Sequence, residues 1–321
     1  MPDLSRRRFL AAGGTLAAGA LLGSAGCATL RVPGVAVVDH DWVDPVRSRA
    51  VPVRLYLPSP TPLASLPLLV FSHGIGGSRE GYSYLGSYLA SEGIASLHVQ
   101  HVGSDRRLWW QGAPFTVVDR LRRAAMEAEA RARVDDVRFA LDQALGVVYR
   151  NLLDEQRVFA AGHSYGANTT LLLAGARIER EGRALPLRDE RVRAIMLISA
   201  PPFYGEPDPH DILLPVSVPS LHVTATDDVI RIPGYYSDVR DRLSIFDMIG
   251  SRRKALAVFD GGSHSVFTDR SLTGGLVRNG ELKRATRELL RAFLREQLQA
   301  DENAIDGWRL RHQPLLVRFE A

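Results

Sequence analysis

The chain has 321 residues, and 40 basic against 36 acidic side chains give it a formal charge of +4. With 45% apolar and 24% charged residues its composition is that of a globular protein. This excludes wholesale disorder, and the small, scattered basic excess gives no footing for nucleic acid. A single cysteine, Cys27, excludes an intramolecular disulfide and a cysteine-rich metal site, so an apolar core must hold the fold.

Residues 1–27 read as a leader. Arg6-Arg7-Arg8 precedes Phe9-Leu10, and no charged residue occurs from Phe9 to Ala25. That run of 17 residues is rich in Ala and Gly and falls short of the roughly 20 a spanning helix wants. The pattern resembles a twin-arginine export signal, and Ser24-Ala25-Gly26-Cys27 resembles a lipoprotein cleavage site. The expectation is a periplasmic or secreted protein. Either Cys27 is acylated and tethers it to a membrane, or cleavage near Ala25 to Ala28 releases it. Loss of residues 1–26 removes three arginines and one aspartate and leaves a charge of +2.

In the mature chain, Val51, Val53, Leu55 and Leu57 alternate with other residues, which predicts a half-buried antiparallel strand. Pro58-Ser59-Pro60-Thr61-Pro62 is a turn-rich hinge. Leu66 to Phe71 is continuously apolar, as a strand buried on both faces should be. Short apolar runs follow at 94–99, 157–161, 192–199, 220–225 and 255–259. Helical spacing appears at Val134, Val137, Leu141, Leu145 and Val148, over 167–176 and over 282–298. Strand and helix alternate, which predicts an α/β fold with a mostly parallel sheet covered on both faces. Three irregular segments, 103–130, 201–218 and 229–253, each follow the carboxyl end of a strand. That is the edge where open α/β sheets bind ligands, so they are expected as pocket walls or lids.

The sequence places its chemistry at that edge. Gly162-His163-Ser164-Tyr165-Gly166 is a G-x-S-x-G pentapeptide between a predicted strand and a predicted helix, the setting that exposes a serine hydroxyl at a tight turn. The Tyr165 N–H, at a helix N-terminus, is one expected donor to a developing oxyanion. His73-Gly74-Ile75-Gly76-Gly77 follows another buried strand and is expected to supply the second, from Ile75 with Gly76 in reserve. His73 itself is read as a structural residue, and no Gly-Lys-Ser/Thr follows to make a phosphate cradle. A serine nucleophile needs a base and the base needs an acid. His264, in Gly261-Gly262-Ser263-His264-Ser265, lies just past the last core strand, and Asp227 and Asp228 both follow the run 220–225, with Asp260 a distant third. His98 and His101 form an H-x-x-H whose spacing at a strand end turns the rings to opposite faces, so no metal is expected there, nor any other cofactor. Trp109 and Trp110 are read as pocket lining or a buried lid, and the arginines from Arg120 to Arg133 as a solvated helix face.

These motifs together resemble the α/β-hydrolase superfamily, and within it the exported dienelactone-hydrolase-like and platelet-activating-factor-acetylhydrolase-like serine esterases. The resemblance rests on Ser72-His73-Gly74-Ile75-Gly76-Gly77-Ser78, Gly162-His163-Ser164-Tyr165-Gly166, Asp227 and Gly262-Ser263-His264. It implies an eight-stranded, mostly parallel sheet in one domain over 35–308, a C-terminal tail over 309–321, and cleavage of small-molecule carboxylic esters through an acyl-enzyme. It also favours Asp227 as the acid, because similar sequences place it last in a G-x-x-D turn, matched by Thr224-Ala225-Thr226-Asp227. Dienelactone hydrolases proper carry a cysteine nucleophile where this chain has Ser164. Acyl transfer would use the same residues. A non-catalytic binding protein on the same scaffold would leave every triad position without a use.

Overall fold

The computed structural model describes residues 30–32, 34–62, 65–232, 234–269 and 276–321. The leader and Cys27 lie outside them. The N-terminal strands β1 (Leu30–Val32), β2 (Val35–Asp44) and β3 (Arg49–Pro58) form an antiparallel ribbon. β4 (Leu66–Ser72) has every residue buried, as its unbroken apolar run requires. Helix α1 (Ser83–Ser91) then crosses to β5 (Ala95–Val99), and the predicted lid segment contains α2 (Val117–Ala124). α3 (Glu127–Leu141) leads through one wider turn into β6 (Leu153–His163), and α4 (Tyr165–Leu173) follows it at once.

A small hairpin, β7 (Glu179–Arg180) and β8 (Arg183–Ala184), precedes β9 (Val192–Ile198). Next come α5 (Pro209–Leu213), β10 (Ser220–Ala225), a second hairpin of β11 (Ile230–Ile232) and β12 (Tyr235–Ser237), and α6 (Val239–Met248). The chain ends with β13 (Lys254–Phe259), α7 (Leu276–Gln297), α8 (Ala304–His312) and β14 (Leu316–Glu320).

Among the described residues, ten strands make one sheet in the order β1-β2-β3-β5-β4-β6-β9-β10-β13-β14. The six from β5 to β13 are mutually parallel, with antiparallel strands at both ends. The alternation along each central strand divides the core between the two faces. Leu68, Val70, Val158, Ala160, Ile195 and Leu197 pack on one side with α3 and α4. Leu69, Phe71, Phe159, Ala161, Met196 and Ile198 pack on the other with α1 and α7.

The sheet is larger than the eight strands expected. The C-terminal stretch 309–321, expected as a tail, carries the end of α8 and the strand β14, which pairs antiparallel with Leu256–Phe259 of β13. Phe319 anchors it by packing 5.8 Å from the buried indole of Trp308. Alternating charges, Arg318 and Glu320, suit a strand whose outer side faces water, and they give it the sequence signature of a tail.

Candidate active site

β6 ends at His163, and the chain turns straight into α4 through Ser164, whose φ of 55° and ψ of −127° lie in a region side chains rarely occupy. The flanking glycines permit this. A Cβ on Gly162 would stand 2.1 Å from the Gly166 carbonyl oxygen, and one on Gly166 would stand 1.9 Å from that of Ser72. Ser164 Oγ therefore rises at the tip of the central strand, one sheet position from β4.

His264 opens a short 3₁₀ turn after β13 and brings its Nε2 to 2.8 Å from Ser164 Oγ. Its Nδ1 lies 2.7 Å from Oδ1 of Asp228, which is wholly buried. The carboxylate on the imidazole is thus that of Asp228 and not Asp227. The reason is local: the Asp228 N–H donates to the Ala225 carbonyl at 3.2 Å, which closes a turn with Thr226 and Asp227 at its exposed centre. Asp227 points to water, and Asp228 returns beneath the strand end. Asp260 is tied to Arg278 instead.

Asp228 is held from several sides. Thr224 donates its hydroxyl to Oδ2 at 2.7 Å, and the buried guanidinium of Arg242 lies 3.4 Å away. Burial pushes the Asp228 carboxyl up, but the hydrogen bond and charge of His264 and the charge of Arg242 outweigh it and hold the group well below the usual carboxylate range. His163, next to the serine, fixes the other ring from behind. Its Nε2 donates to the His264 carbonyl at 3.0 Å, and its Nδ1 accepts from the Tyr82 hydroxyl at 2.8 Å. Burial and the neighbouring His264 keep the His163 ring neutral by pushing its pKa well down. Neither Arg242, His163 nor Tyr82 stands out in the sequence, because nothing in their spacing reports a contact 14 to 101 residues away.

The loop after β4 lies across from the serine, and a Cβ on Gly74 would stand 3.2 Å from that of Ser164. The Gly76 N–H donates to the Ser104 carbonyl at 2.8 Å and the Gly77 N–H to the Gly74 carbonyl at 3.0 Å. Both are therefore committed, which removes Gly76 as the reserve donor and leaves Ile75. His73 is structural, as expected: Nδ1 donates to the Gly74 carbonyl at 2.7 Å, and Nε2 accepts the His101 N–H at 3.1 Å. His98 and His101 have separate surroundings, Gly81 and Ser96 for the first and Ser72 and Asp136 for the second. Among the described residues no group of three or more His, Cys, Asp or Glu could hold a metal ion.

A cavity of about 400 Å³ opens beside Ser164, and all three irregular segments contribute walls to it. Leu121 and Ala130 face it from the first, Phe203 from the second and Ile232 from the third, with Tyr165 and Leu172 of α4 as the floor. Trp109 serves the loop rather than the cavity: its indole N–H donates to the Gly76 carbonyl at 3.0 Å, while Trp110 is 65% exposed.

Of the arginines in 120–133, Arg122, Arg123 and Arg131 are exposed, as a solvated face requires, while two depart from expectation. Arg120 bonds the Leu108 and Ala113 carbonyls, and Arg133 is wholly buried.

A sequence model of the family described as platelet-activating factor acetylhydrolase, isoform II, matches residues 45–107. No curated protein matches. Among solved structures, a ferulic acid esterase from Streptomyces cinnamoneus is similar at 22% identity and a TM-score of 0.58, over 82% of this chain and 88% of that one. A PEG-bound cold-adapted esterase from an Arctic intertidal metagenomic library is similar at 19% identity and a TM-score of 0.54, over 74% of this chain and 90% of that one. Likeness at this level establishes the fold, that of an α/β hydrolase.

Proposed function

We propose that this α/β-hydrolase-fold protein cleaves carboxylic esters with Ser164 as nucleophile, His264 as base and Asp228 as the acid that orients it. The observation that carries the reading is the pair of contacts at His264, 2.8 Å to Ser164 Oγ and 2.7 Å to Asp228 Oδ1. His264 Nε2 takes the Ser164 proton as Oγ bonds to the ester carbonyl carbon, and the carbonyl π electrons move to oxygen. The N–H groups of Ile75 and Tyr165 receive that oxyanion. When the tetrahedral centre collapses, the C–O bond to the alcohol breaks and His264 returns its proton to the leaving alkoxide. Water then repeats the cycle on the acyl-enzyme and restores the serine. Buried Asp228 accepts from Nδ1–H throughout, which keeps Nε2 free to act.

The apolar walls of the cavity beside Ser164 favour an aliphatic or aromatic acyl group. The esterases of similar fold and the acetylhydrolase family match support an ester as the substrate. The test is a series of p-nitrophenyl esters of increasing acyl length together with a fluorophosphonate probe. Wild type should hydrolyse the esters and take the label on Ser164. A protein that does neither has another function.

Export belongs to the same proposal and rests on the leader alone. Intact mass of the cell-made protein separates an acylated Cys27 from an unmodified chain cut between Ala25 and Ala28.

A further inference from the structure

Arg133 presents an anomaly that the proposed triad does not absorb. It is wholly buried on α3, and burial pushes its pKa down, but an arginine starts high enough to remain a cation. Its hydrogen-bond partners are all neutral: the Thr169 hydroxyl at 2.9 Å, the Ser104 hydroxyl at 2.7 Å and the His73 carbonyl at 2.5 Å. Its guanidinium carbon lies 4.5 Å from the centre of the Tyr165 ring. Among the described residues no carboxylate pairs with it directly. The neighbouring Glu129 is held by Arg49 and the Ser104 hydroxyl, and Asp136 by Arg47, Arg49 and His101. The other titratable rings against it, His73 and His101, are both kept neutral by burial.

Burying a cation without a bonded anion is unfavourable, and an apolar side chain of similar size commonly does better. The location gives the charge a use. Through the His73 carbonyl Arg133 holds the loop that presents Ile75. Through the Tyr165 ring, and through Thr169 whose hydroxyl donates on to the Tyr165 carbonyl at 3.2 Å, it holds the first turn of α4. Those two segments carry the two N–H groups assigned above to the oxyanion, so one side chain ties both to a common point.

We propose that Arg133 is a positioning residue for the oxyanion hole. It fixes the Ile75 and Tyr165 N–H groups relative to Ser164, and its unpaired positive charge lowers the energy of the alkoxide that forms between them. The inference rests on the ester-hydrolase reading. Preorganised charge of this kind acts when negative charge develops and not when the neutral ester binds, so it belongs to kcat rather than KM.

Arg133→Met and Arg133→Lys separate the contributions, the first removing charge and fork together, the second only the fork. For p-nitrophenyl butyrate, Arg133→Met should lower kcat by about tenfold to a hundredfold with KM nearly unchanged, somewhat less than loss of a direct donor costs. A trifluoromethyl ketone, which binds Ser164 as an oxyanionic hemiketal, should lose affinity by the same factor, while the matching methyl ketone should not. Arg133→Lys should fall between Arg133→Met and wild type in both measurements. If Arg133→Met does not fold, Arg133→Lys decides alone, through its kcat and its ketone ratio. A folded variant with wild-type kcat, or one that loses kcat without changing the ketone ratio, overturns the proposal. A wild-type enzyme inert to every ester and to fluorophosphonate overturns the functional reading instead.

Discussion

For the nucleophile and the acid of the proposed triad, a substitution isolates each role. Ser164→Ala should abolish ester hydrolysis and fluorophosphonate labelling without loss of the fold, since loss of a triad member leaves only about a thousandth or less of the activity. Asp228→Asn should lower kcat by about ten-thousandfold, because an amide on Nδ1 favours the imidazole tautomer whose Nε2 cannot accept the serine proton. Asp227→Asn should stay within about twofold of wild type, because that side chain faces water at the turn centre. The comparison is read in kcat on one ester, and a larger loss from Asp227→Asn would overturn the assignment. At this scale the sequence was legible in part. The serine and the histidine announce themselves through the glycines their turns demand. The aspartate does not, because two adjacent carboxylates differ only in where a turn closes, and the Asp228 N–H to Ala225 bond that decides it leaves no mark in composition.

The strand-to-helix elbow joining β6 to α4 has no room for an added side chain at its glycines. Gly166→Ala would press a methyl group against the Ser72 and His73 carbonyl oxygens, at 1.9 and 2.8 Å, and backbone on both sides leaves nothing to yield. Destabilisation above about 4 kcal/mol, or failure to fold, is the expected outcome in urea unfolding. Gly280→Ala in α7 is the counterpart. Its Cβ would meet nothing within 4 Å, and the helix should gain roughly 0.5–1 kcal/mol. The central strands and α3, α4 and α7 were readable because their apolar periods match the faces they bury. β14 was not, since an edge strand buries only one side and its charges read as a tail. Arg133 was not either: arginines of α3 look alike in sequence, and only the packing of α3 beside α4 shows which one points inward.

At the scale of the molecule, five histidines among the described residues are buried: His73, His98, His101, His163 and His222. Burial pushes each ring's pKa down, to about 3 for His98 and His222. A base whose folded pKa lies below its unfolded value of about 6.5 binds fewer protons when folded, so stability rises with pH through that interval. The contribution is fully present above pH of about 6.5 and is lost on acidification, by up to about 1.4 kcal/mol per pH unit for each ring. Asp228 adds to the loss only below the carboxylate range, since its folded pKa is the depressed one. The urea midpoint should therefore fall steeply between about pH 7 and 5, and a flat profile would show that these rings titrate freely in the folded protein.

The placement of Ser164 and His264 has a further consequence, in time. They stand 100 residues apart in the chain and meet only when β6, β9, β10 and β13 lie side by side, each parallel neighbour requiring a crossover first. Contacts so distant form late in folding, after local helices have closed. On dilution from denaturant, ellipticity should return first and turnover last, and the interval between the two signals measures how long the sheet takes to find its order.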